Sequence, residues 1–400
     1  MSTPFDRFLD GKDCPLCPGR PDSNETWDFV AKLGVSSLYL NKNQTYRGHC
    51  QLIFDLRHAA RPDQVSAEEW AAFSADLYRA QGVIQAVTKA DHVNLESLGN
   101  MVPHLHWHIA PRYRDDPQWG SPIWLSDITQ MLDTRLEEKE RSALVGALLD
   151  RAGVDVLLVV AHPDPRSFNG ALTEVAVETL ASAGHRVAVS DLYAMGFKAV
   201  ADADDFTDRS DRERFRLDHE QAHAQTTGAV APDIAAEQEK VRAAELLVLQ
   251  FPMWWFGMPA ILKGWVDRVF ARGFAYAPGR KYDTGLLAGR TALVSVTTGT
   301  SAATYAPDGI DGSIHDILWP LHNGVLRYCG FDVLEPFVAH MPGKVGDEVR
   351  GELLDAWRAR LMAVGSSPRL FFHPASDYGP DERLLPGVVA RSGFQHNPER

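Results

Sequence analysis

The chain has 400 residues, of which 45% are hydrophobic, and its formal net charge at pH 7 is −13. This length exceeds the usual size of a single hydrophobic core, so it indicates a globular protein with two domains. The negative charge argues against nucleic-acid polymers and anionic membrane surfaces as partners, because their phosphates would be repelled. The sequence lacks an apolar run of about 18 residues and its start, MSTPFDRFLDGKD, lacks an apolar segment, so we expect neither membrane insertion nor a secretory signal.

A Cys-x₂-Cys pair, Cys14 and Cys17, lies in the amino-terminal region. Such a pair is half of a zinc site and needs two more ligands, for which His58 and His104 are the first candidates and His49 is the alternative third ligand. A redox role is disfavoured, because no thioredoxin-like βαβ pattern surrounds the pair. With four cysteines in the chain we expect no disulfide framework, which favours a cytoplasmic location.

Three histidines alternate with apolar residues in the segment HLHWHI, residues 104–109. Successive side chains of a β-strand point to opposite faces, so His104, His106 and His108 are predicted to lie on one face of a strand. Aligned imidazoles offer a nucleophile together with neighbours that orient it and protonate a leaving group near neutral pH. A site that only binds metal is the competing interpretation.

Residues 14–112 resemble the histidine-triad (HIT) superfamily of nucleotide hydrolases and transferases, mainly through NLESLGNMVPHLHWHIAPRY. The resemblance implies that His106 attacks an α-phosphate to give a nucleotidyl-histidine, and that His104 binds zinc or orients the strand. It also implies nucleotide contacts from His106, His108, Asn94 and Asn100. Asn100 stands where many members carry Gln or Ser, a departure that bears on the leaving group.

A charged, helix-like stretch, Asp127 to Leu149, separates this region from the rest of the chain. Its RLEEKER segment is typical of a solvated helix face, so we interpret the stretch as a helical spacer. The sequence therefore predicts an amino-terminal domain over residues 1–150 and a second domain over residues 151–400.

The second domain begins with the continuous apolar run Val154 to Ala161, which is typical of a buried parallel strand. Ser167 and Asn169 are good cap residues for a helix predicted over 171–183, so the loop before it presents backbone N–H groups at a helix N-terminus. Such a terminus is a seat for phosphate. Neither a GxGxxG nor a GxxxxGK[ST] motif is present, so a dinucleotide Rossmann fingerprint and a P-loop are both excluded.

Two further loops follow apolar runs. Phe251 to Phe270, FPMWWFGMPAILKGWVDRVF, places a cluster of aromatic residues between a strand end and an amphipathic helix. The carboxyl ends of strands are where open α/β sheets bind ligands, so the aromatics predict a crevice for a flat ring, with an aromatic core turn as the alternative. After 291–296, the loop TTGTS (297–301) and Tyr305 permit close approach of the backbone to a polar ring edge or phosphate.

Residues 154–374 resemble the NAD(P)H:quinone oxidoreductase family of DT-diaphorase-like flavoproteins. The resemblance rests on AHPDPRSFNGAL, WFGMPAILKGWVDRVF, ILWPLHNGVLRYCGFDVLEP and shorter segments. It implies a flavodoxin-like fold, bound FAD rather than FMN, and ping-pong hydride transfer from NAD(P)H to a quinone. It also implies a homodimer, because the adenine-side contact of the family lies close to the partner subunit.

The same resemblance assigns side chains to the flavin. The pyrophosphate and ribityl chain would meet His162, Ser167, Phe168 and Asn169, and the ring would be framed by Pro252, Trp255 and Phe256. The polar edge of the ring would be held by Thr297, Thr298, Gly299 and Tyr305, and the adenine-side contact would come from Arg350 with Leu354.

Three positions depart from the family. Asp311 stands where the best-known members have a histidine that relays charge beside the active-site tyrosine, and a carboxylate cannot share developing negative charge as an imidazolium does. Pro278 replaces a gating tyrosine. Arg216 replaces a neutral amide near the cofactor, where it would either pair with a flavin phosphate or face water.

The predicted fold class is therefore α/β, with a HIT-type α+β domain that has an antiparallel sheet, followed by a flavodoxin-like doubly wound parallel sheet. A bifunctional enzyme is the favoured function, because binding a nucleotide alone needs no nucleophile such as the three retained histidines offer. The alternatives are an oxidoreductase whose first domain only binds nucleotide, and a flavin-bearing regulatory subunit of a transporter.

Overall fold

A computed structural model describes Phe5 and residues 8–116, 118–125, 134–152 and 154–391. These residues form two compact units, one composed mainly of residues up to Val154 and the other mainly of residues from Asp155 onward. Each unit has its own sheet and its own hydrophobic core. Within the described residues, no helix combines the length and apolar character needed to cross a membrane.

The first unit contains an antiparallel sheet with strand order β1–β2–β3–β5–β4. Its strands are β1 (Trp27–Lys32), β2 (Ser36–Asn41), β3 (Cys50–Phe54), β4 (His92–Glu96) and β5 (His106–Arg112), and its helices are α1 (Ala67–Thr88) and α2 (Glu138–Ala152). The predicted antiparallel sheet is confirmed. Helix α2 of the predicted spacer begins at Glu138, after the non-helical residues 134–137, and residues 127–133 of that prediction lie outside the described residues.

Alternation along the strands divides this sheet into an apolar and a polar face. Leu40, Cys50 and Ile109 lie in register on neighbouring strands and belong to the core that also contains Phe73 and Ile84 of α1. The opposite, polar face carries buried polar side chains, among them Asn41, Gln51, His106 and His108, next to a smaller apolar cluster with Trp27, Tyr39 and Ile53. The apolar face therefore holds the unit together and leaves the other face available for chemistry.

Helix α1 is fixed at its start and through a buried carboxylate. The Ser66 hydroxyl accepts a hydrogen bond from the backbone N–H of Glu69, and the Glu69 carboxylate accepts one from the backbone N–H of Ser66, which forms a capping box. Farther along, Asp76 accepts hydrogen bonds from the backbone of Gly34 and Val35 and from the Ser36 hydroxyl at 2.7–2.9 Å. These bonds tie α1 to the turn between β1 and β2.

The second unit contains a sheet with strand order β10–β9–β8–β6–β7, in which β11 also pairs with β9. Its strands are β6 (Asp155–Val160), β7 (Arg186–Asp191), β8 (Leu246–Pro252), β9 (Thr291–Thr298), β10 (Asp332–Val333) and β11 (Phe337–His340). Its helices are α3 (Phe168–Ser182), α4 (Leu217–Thr227), α5 (Pro232–Ala243), α6 (Ala260–Val269), α7 (Ile314–Leu321) and α8 (Asp347–Met362), and α7 continues into a π-helical turn, His322–Arg327.

Strands β6, β8 and β9 are parallel neighbours, so their carboxyl ends meet at one edge of the sheet. Counted along the chain, the order is 2-1-3-4-5, which is the order of flavodoxin-like doubly wound sheets and places a topological switch point between β6 and β8. All residues of β8 are buried, as expected for a strand covered on both faces. The predicted α/β class with two different sheets is confirmed.

A buried ion network holds the charged segment that follows β7. Arg268 of α6 and Asp205 are each 1% exposed in their side chains and are joined at 2.9 Å. Asp233 and Lys198 complete the network, since Asp233 pairs with Arg268 at 2.7 Å and Lys198 pairs with Asp205 at 3.0 Å. A buried charge is tolerated only when it is paired and hydrogen-bonded, so each partner depends on the others.

The charge of residues 202–225 predicts a mobile loop or an exposed helix over the adenine side of the cofactor, and a helix is present in α4, although some of its charged residues are buried. Glu220 of α4 is 1% exposed, and its carboxylate accepts hydrogen bonds from the backbone N–H groups of Ser210 and Asp211. The sequence after Pro374 is rich in Pro, Gly and Arg, which predicts a tail that is poorly ordered or packed on a partner subunit. In the described residues, the Lys281–Glu382 ion pair at 2.7 Å links this tail to its own unit. Residues 392–400 of that tail lie outside the described residues.

Replacing Asp205 with Ala is expected to lower the free energy of unfolding of the second unit by about 3–5 kcal/mol, because it leaves Arg268 buried without its main partner. Urea unfolding followed by tryptophan fluorescence measures this change. Asp267→Ala is the matched control, since it removes a carboxylate from an exposed ion pair with Lys263 and should change stability by no more than about 0.5 kcal/mol. Equal effects of the two substitutions would contradict a structural role for the buried network.

Candidate functional site

A tight turn after β8 presents two aromatic side chains to solvent. The backbones of Trp254 and Gly257 exchange hydrogen bonds at 3.1 Å, and the two residues between them, Trp255 and Phe256, have φ values of +51° and +59°. Both central residues are thus left-handed, a conformation that normally favours Gly or Asn. Trp255 is 98% exposed and Phe256 is 52% exposed. A strained backbone that exposes two large apolar rings at a ligand-binding edge points to a flat ligand that covers them.

The loop after β6 ends in the N-terminus of α3, as predicted, although α3 begins at Phe168 rather than Ala171. The Ser167 hydroxyl accepts a hydrogen bond from the backbone N–H of Gly170 at 3.2 Å. A Cβ added at Gly170 would clash with the carbonyl oxygen of Pro165, so this turn accepts only glycine without rearrangement. His162 Nδ1 lies 3.1 Å from the backbone nitrogen of Asp164, which keeps this imidazole within the loop.

Asn169 joins this loop to the strand ends. Its side-chain amide donates to Thr297 Oγ1 at 3.0 Å, while its Oδ1 is buried and has no hydrogen-bond partner among the described residues. The side-chain amide of Gln250, in β8, donates to the backbone carbonyl oxygen of Asn169 and to Thr173 Oγ1, both at 2.7 Å. Buried polar atoms are normally paired, so the unpaired oxygen is an acceptor that a ligand donor could satisfy.

The loop after β9 carries hydroxyl groups at the same edge. Thr298 donates to the carbonyl oxygen of Thr300 at 2.9 Å and its oxygen lies 3.0 Å from Nδ1 of His340, the last residue of β11. The Tyr305 ring lies 5.7 Å from the His340 ring between centroids. Asp311 contacts Thr300 of the same loop, because the Thr300 hydroxyl donates a hydrogen bond to the Asp311 carboxylate at 3.4 Å.

The structure thus brings most of the assigned residues to one edge of the sheet. Pro252 ends β8 and is buried, Thr297 and Thr298 end β9 and are buried, and Gly299 is exposed directly after them. Phe168, in the first turn of α3, is half-buried. Arg350 of α8 is engaged locally, because its guanidinium donates to the carbonyl oxygens of Pro342 and Val345 and pairs with Asp347.

The first unit holds a second cluster, on the polar face of its sheet. His106 Nδ1 lies 2.6 Å from the carbonyl oxygen of His104. A carbonyl only accepts, so Nδ1 carries the proton and Nε2 keeps its lone pair for attack on an electrophile. Ser97 donates to the carbonyl oxygen of His106 at 2.8 Å, which fixes the backbone beneath the ring. Burial lowers the pKa of His106 and favours the neutral imidazole.

His108 is surrounded by other rings. Its Nδ1 lies 3.2 Å from Nε2 of His49, and its ring centroid lies 5.1 Å from that of His106 and 4.8 Å from that of Trp124. Burial lowers the pKa of His49 to about 4 and that of His108 to about 2, so both are neutral acceptors or donors at pH 7. His49, the alternative zinc ligand of the sequence analysis, contacts His108 instead.

The prediction that three histidines share one strand face needs correction at His104. Strand β5 begins at His106, and His104 lies before it with its Nε2 2.8 Å from the carbonyl oxygen of Phe54. The hydrogen bond to Phe54 and the contacts with the thiols of the Cys-x₂-Cys pair hold the His104 imidazole away from those of His106 and His108.

The two predicted nucleotide-binding asparagines are placed differently. Asn94 lies opposite Ala110 in the β4–β5 pairing, two residue pairs away from the Glu96–His108 pair, and its amide lies 3.5 Å from the Glu96 carboxylate. Asn100 is exposed in the loop between β4 and β5. Asn94 therefore borders the histidine cluster on the sheet, whereas Asn100 lies on a flanking loop.

Four possible ligand atoms lie within 4.8 Å of one another, from Cys14, Cys17, His58 and His104. Cys14 Sγ is 3.6 Å and Cys17 Sγ is 3.8 Å from His104 Nδ1, and Cys17 Sγ is 3.4 Å from His58 Nδ1. Tetrahedral zinc with ordinary Zn–S and Zn–N bond lengths would separate sulfur and nitrogen ligands by about 3.6 Å. The donor set and its spacing therefore fit zinc. Without a cation, burial and the neighbouring Cys14 raise the pKa of Cys17 to about 11.

Sequence reasoning missed several residues of these sites. Gln250 and His340 contribute to the sheet edge of the second unit, and Trp124 and Glu96 contribute to the histidine cluster. His340 ends a short strand after an unremarkable sequence, so only its pairing with β9 reveals it. Glu96 could have been found from the alternation of β4, since it shares a face with Asn94.

Comparison with known proteins agrees with both units. A family model described as a flavodoxin-like fold matches residues 155–361, and a HIT domain model matches residues 24–115. NAD(P)H dehydrogenase [quinone] 1 of Rattus norvegicus is 43% identical over 245 residues, which are 61% of this chain and 89% of the relative. Ribosyldihydronicotinamide dehydrogenase [quinone] of Homo sapiens is 46% identical over 214 residues, 53% of this chain and 93% of the relative.

Among solved structures, a putative quinone reductase from Klebsiella pneumoniae is 40% identical, with a TM-score of 0.58, and the match covers 62% of this chain and 98% of that one. These matches fall on the unit that contains the strained aromatic turn, and the HIT match falls on the unit that contains the histidine cluster. The chain belongs to the flavodoxin-like family that includes the NAD(P)H dehydrogenase (quinone) proteins, and it joins that domain to a HIT domain.

Proposed function

We propose that the second unit is a flavin-dependent NAD(P)H:quinone oxidoreductase that binds FAD. The observation that carries this proposal is the turn at Trp255 and Phe256, whose exposed rings and left-handed backbone are otherwise a cost in stability and solubility. The turn lies beside the switch point of the sheet, where open α/β folds bind their ligands. The printed names of the relatives, which are quinone dehydrogenases, support the same reaction class.

The residues present fit a flavin. The buried, unpaired Oδ1 of Asn169 offers an acceptor, and the N-terminus of α3 offers backbone N–H groups to a phosphate. Trp255 and Phe256 would cover one region of the ring, and Thr297, Thr298 and Tyr305 would hold its polar edge. When bound, the flavin supplies hydride acceptance from NAD(P)H and hydride donation to a quinone.

The contribution of the chain to this reaction is positioning. Hydride transfer requires donor and acceptor in close contact, so the side chains at the sheet edge must exclude water and align two successive planar substrates. A single crevice for both substrates leads to a ping-pong order, in which NAD(P)⁺ leaves before the quinone enters. The proposal favours FAD over FMN because Arg350 and Leu354 match the adenine-side contact of the family, and it includes a homodimer for the same reason.

We propose in addition that the first unit hydrolyses a nucleotide phosphoanhydride or phosphoramidate. The favouring observation is the 2.6 Å contact between His106 Nδ1 and the His104 carbonyl oxygen, which leaves Nε2 of His106 as a nucleophile. Attack on the α-phosphate would form a nucleotidyl-histidine with departure of the leaving group, and water would then release the nucleotide. His108 would contact phosphate oxygens beside His106, and Asn94 would border the nucleotide.

A zinc ion held by Cys14, Cys17, His58 and His104 completes the proposal for this unit. Zinc would bind the imidazole of His104 while the carbonyl of the same residue orients His106. The ion would therefore attach the amino-terminal segment to the start of β5. A cytoplasmic location is part of the proposal, because four cysteines that form no disulfide favour a reducing compartment.

The oxidoreductase proposal predicts a defined spectral sequence. After incubation with FAD and removal of excess cofactor, the protein should retain about one flavin per chain, because the proposed site has room for a single flavin ring. NADPH added without oxygen should bleach the flavin absorption, and a quinone should restore it, because hydride passes in and out of one site. Failure to bind FAD, or a bound flavin that NADPH and NADH leave oxidised, would refute the proposal.

The hydrolase proposal predicts that His106→Ala abolishes nucleotide hydrolysis, a loss of at least about 10³-fold, while nucleotide affinity stays nearly unchanged, because the nucleophile is removed and the surrounding contacts remain. Turnover of adenosine phosphoramidate and diadenosine polyphosphates, with affinity from calorimetry, gives both quantities. His92→Ala is the control, since His92 is an exposed histidine of the same unit. Turnover by His106→Ala equal to that of the control would leave a binding domain without catalysis.

The zinc proposal predicts about one zinc per chain by elemental analysis. Cys17→Ser should reduce zinc content to a small fraction, because a hydroxyl replaces a thiolate ligand. It should also lower the thermal stability of the first unit. Cys329→Ala removes a cysteine from the second unit and should leave zinc content unchanged. Zinc bound equally by Cys17→Ser and the parent protein would contradict the ligand set.

A further inference from the structure

His340 is an imidazole at the proposed flavin crevice that no family assignment includes. It ends β11, which pairs in parallel with β9 and places His340 opposite Thr298. The carboxyl ends of β9 and β11 therefore coincide, and the His340 side chain reaches the same edge as Thr298 and Tyr305. Ligands of open α/β sheets bind at this edge, so His340 is located where a reacting ligand would lie.

The hydrogen bonds fix which nitrogen of His340 carries a proton. The Thr298 hydroxyl has one proton and donates it to the Thr300 carbonyl oxygen at 2.9 Å. Its oxygen can then only accept from His340, whose Nδ1 lies 3.0 Å away, so Nδ1 carries the hydrogen. In the neutral ring, Nε2 therefore keeps a lone pair and is free to bind a second proton.

The surroundings of His340 favour a neutral ring in the resting protein. The side chain is half-buried, and burial lowers its pKa although the backbone of Thr300 partly opposes this. Tyr305 is a titratable neighbour, and its ring is tilted by 30° relative to that of His340 at a centroid distance of 5.7 Å. The carboxylate of Asp311 contacts the Thr300 hydroxyl at 3.4 Å. A neutral imidazole at pH 7 becomes an effective proton acceptor once negative charge develops beside it.

We propose that His340 binds the proton that accompanies each hydride during catalysis and delivers it to the quinone. This inference rests on the proposed oxidoreductase function. A hydride brings two electrons and one negative charge into the crevice, and Nε2 would take one proton from water to balance that charge. The quinone then receives the hydride and this proton, which makes a hydroquinone and returns His340 to the neutral state. The ring of Tyr305, next to that of His340, would position the His340 imidazole.

The test uses the FAD-loaded full chain with His340→Gln, whose amide can still donate to Thr298. Anaerobic reduction by NADPH in a weakly buffered solution with a pH-indicator dye measures proton uptake per flavin. We expect about one proton for the parent protein near pH 7 and far less for the variant. Quinone reduction by the variant should slow by about 10²-fold, as for loss of a general acid, while FAD content stays unchanged.

His315→Gln is the matched control, because His315 is a half-exposed histidine that pairs with Glu335 at 3.7 Å. It should behave as the parent protein. Asp311→His in the His340→Gln background should restore part of the proton uptake, since it places an imidazole in the loop after β9, next to the Thr300 hydroxyl at the same edge of the sheet. If His340→Gln loses FAD, His340→Tyr keeps an aromatic ring against Tyr305 and provides the same measurement.

The outcomes distinguish a failure of the proposed oxidoreductase function from a failure of the role of His340 alone. A parent protein that binds no FAD, or whose flavin NADPH does not reduce, overturns the proposed function and this inference with it. A working parent protein whose proton uptake and quinone reduction are unchanged in His340→Gln overturns only the role of His340. An equal loss in His315→Gln would also overturn that role, because the effect would then not depend on the crevice.

Discussion

The second unit depends on burial of its central parallel strand on both faces. Every residue of β8 is buried, which requires neighbours on both sides and helices over both faces, and its parallel neighbours β6 and β9 have their carboxyl ends at the same edge of the sheet. The loops that follow are then forced to one edge. The buried pairing of Arg268 with Asp205 maintains the same arrangement, because it holds the segment after β7 against α6. The grouping of these loops at one edge is thus a consequence of how the sheet is buried.

Strain and exposure occur together at the proposed flavin site. Trp255 and Phe256 occupy left-handed positions that cost free energy, and they expose apolar rings that water solvates poorly. Binding of a flat ring would recover part of that cost by covering the aromatics. The same edge holds the hydroxyl of Thr298, the ring of Tyr305 and the imidazole of His340, so apolar contact and proton binding are available side by side.

His104 connects two features of the first unit that look separate in the sequence. Its imidazole lies among the thiols of Cys14 and Cys17, and its carbonyl oxygen sets the tautomer of His106. A metal at this position would therefore influence the orientation of the proposed nucleophile through one residue. His49, in contrast, belongs to the environment of His108 and contributes to the polarity of the sheet face.

The sequence by itself determined the strand-end loops of the second unit and the alternating histidines, because apolar runs and alternation are properties of neighbouring residues, and its motifs identified the two domain families by resemblance. It did not determine the left-handed turn at Trp255, the start of β5 after His104, or the burial of Asp205 and Glu220, since charge and size alone predict solvent exposure. Only the tertiary structure placed His340 beside Tyr305 and His49 beside His108. Those contacts arise from pairing between strands that are distant in sequence, and local patterns carry no information about such pairing.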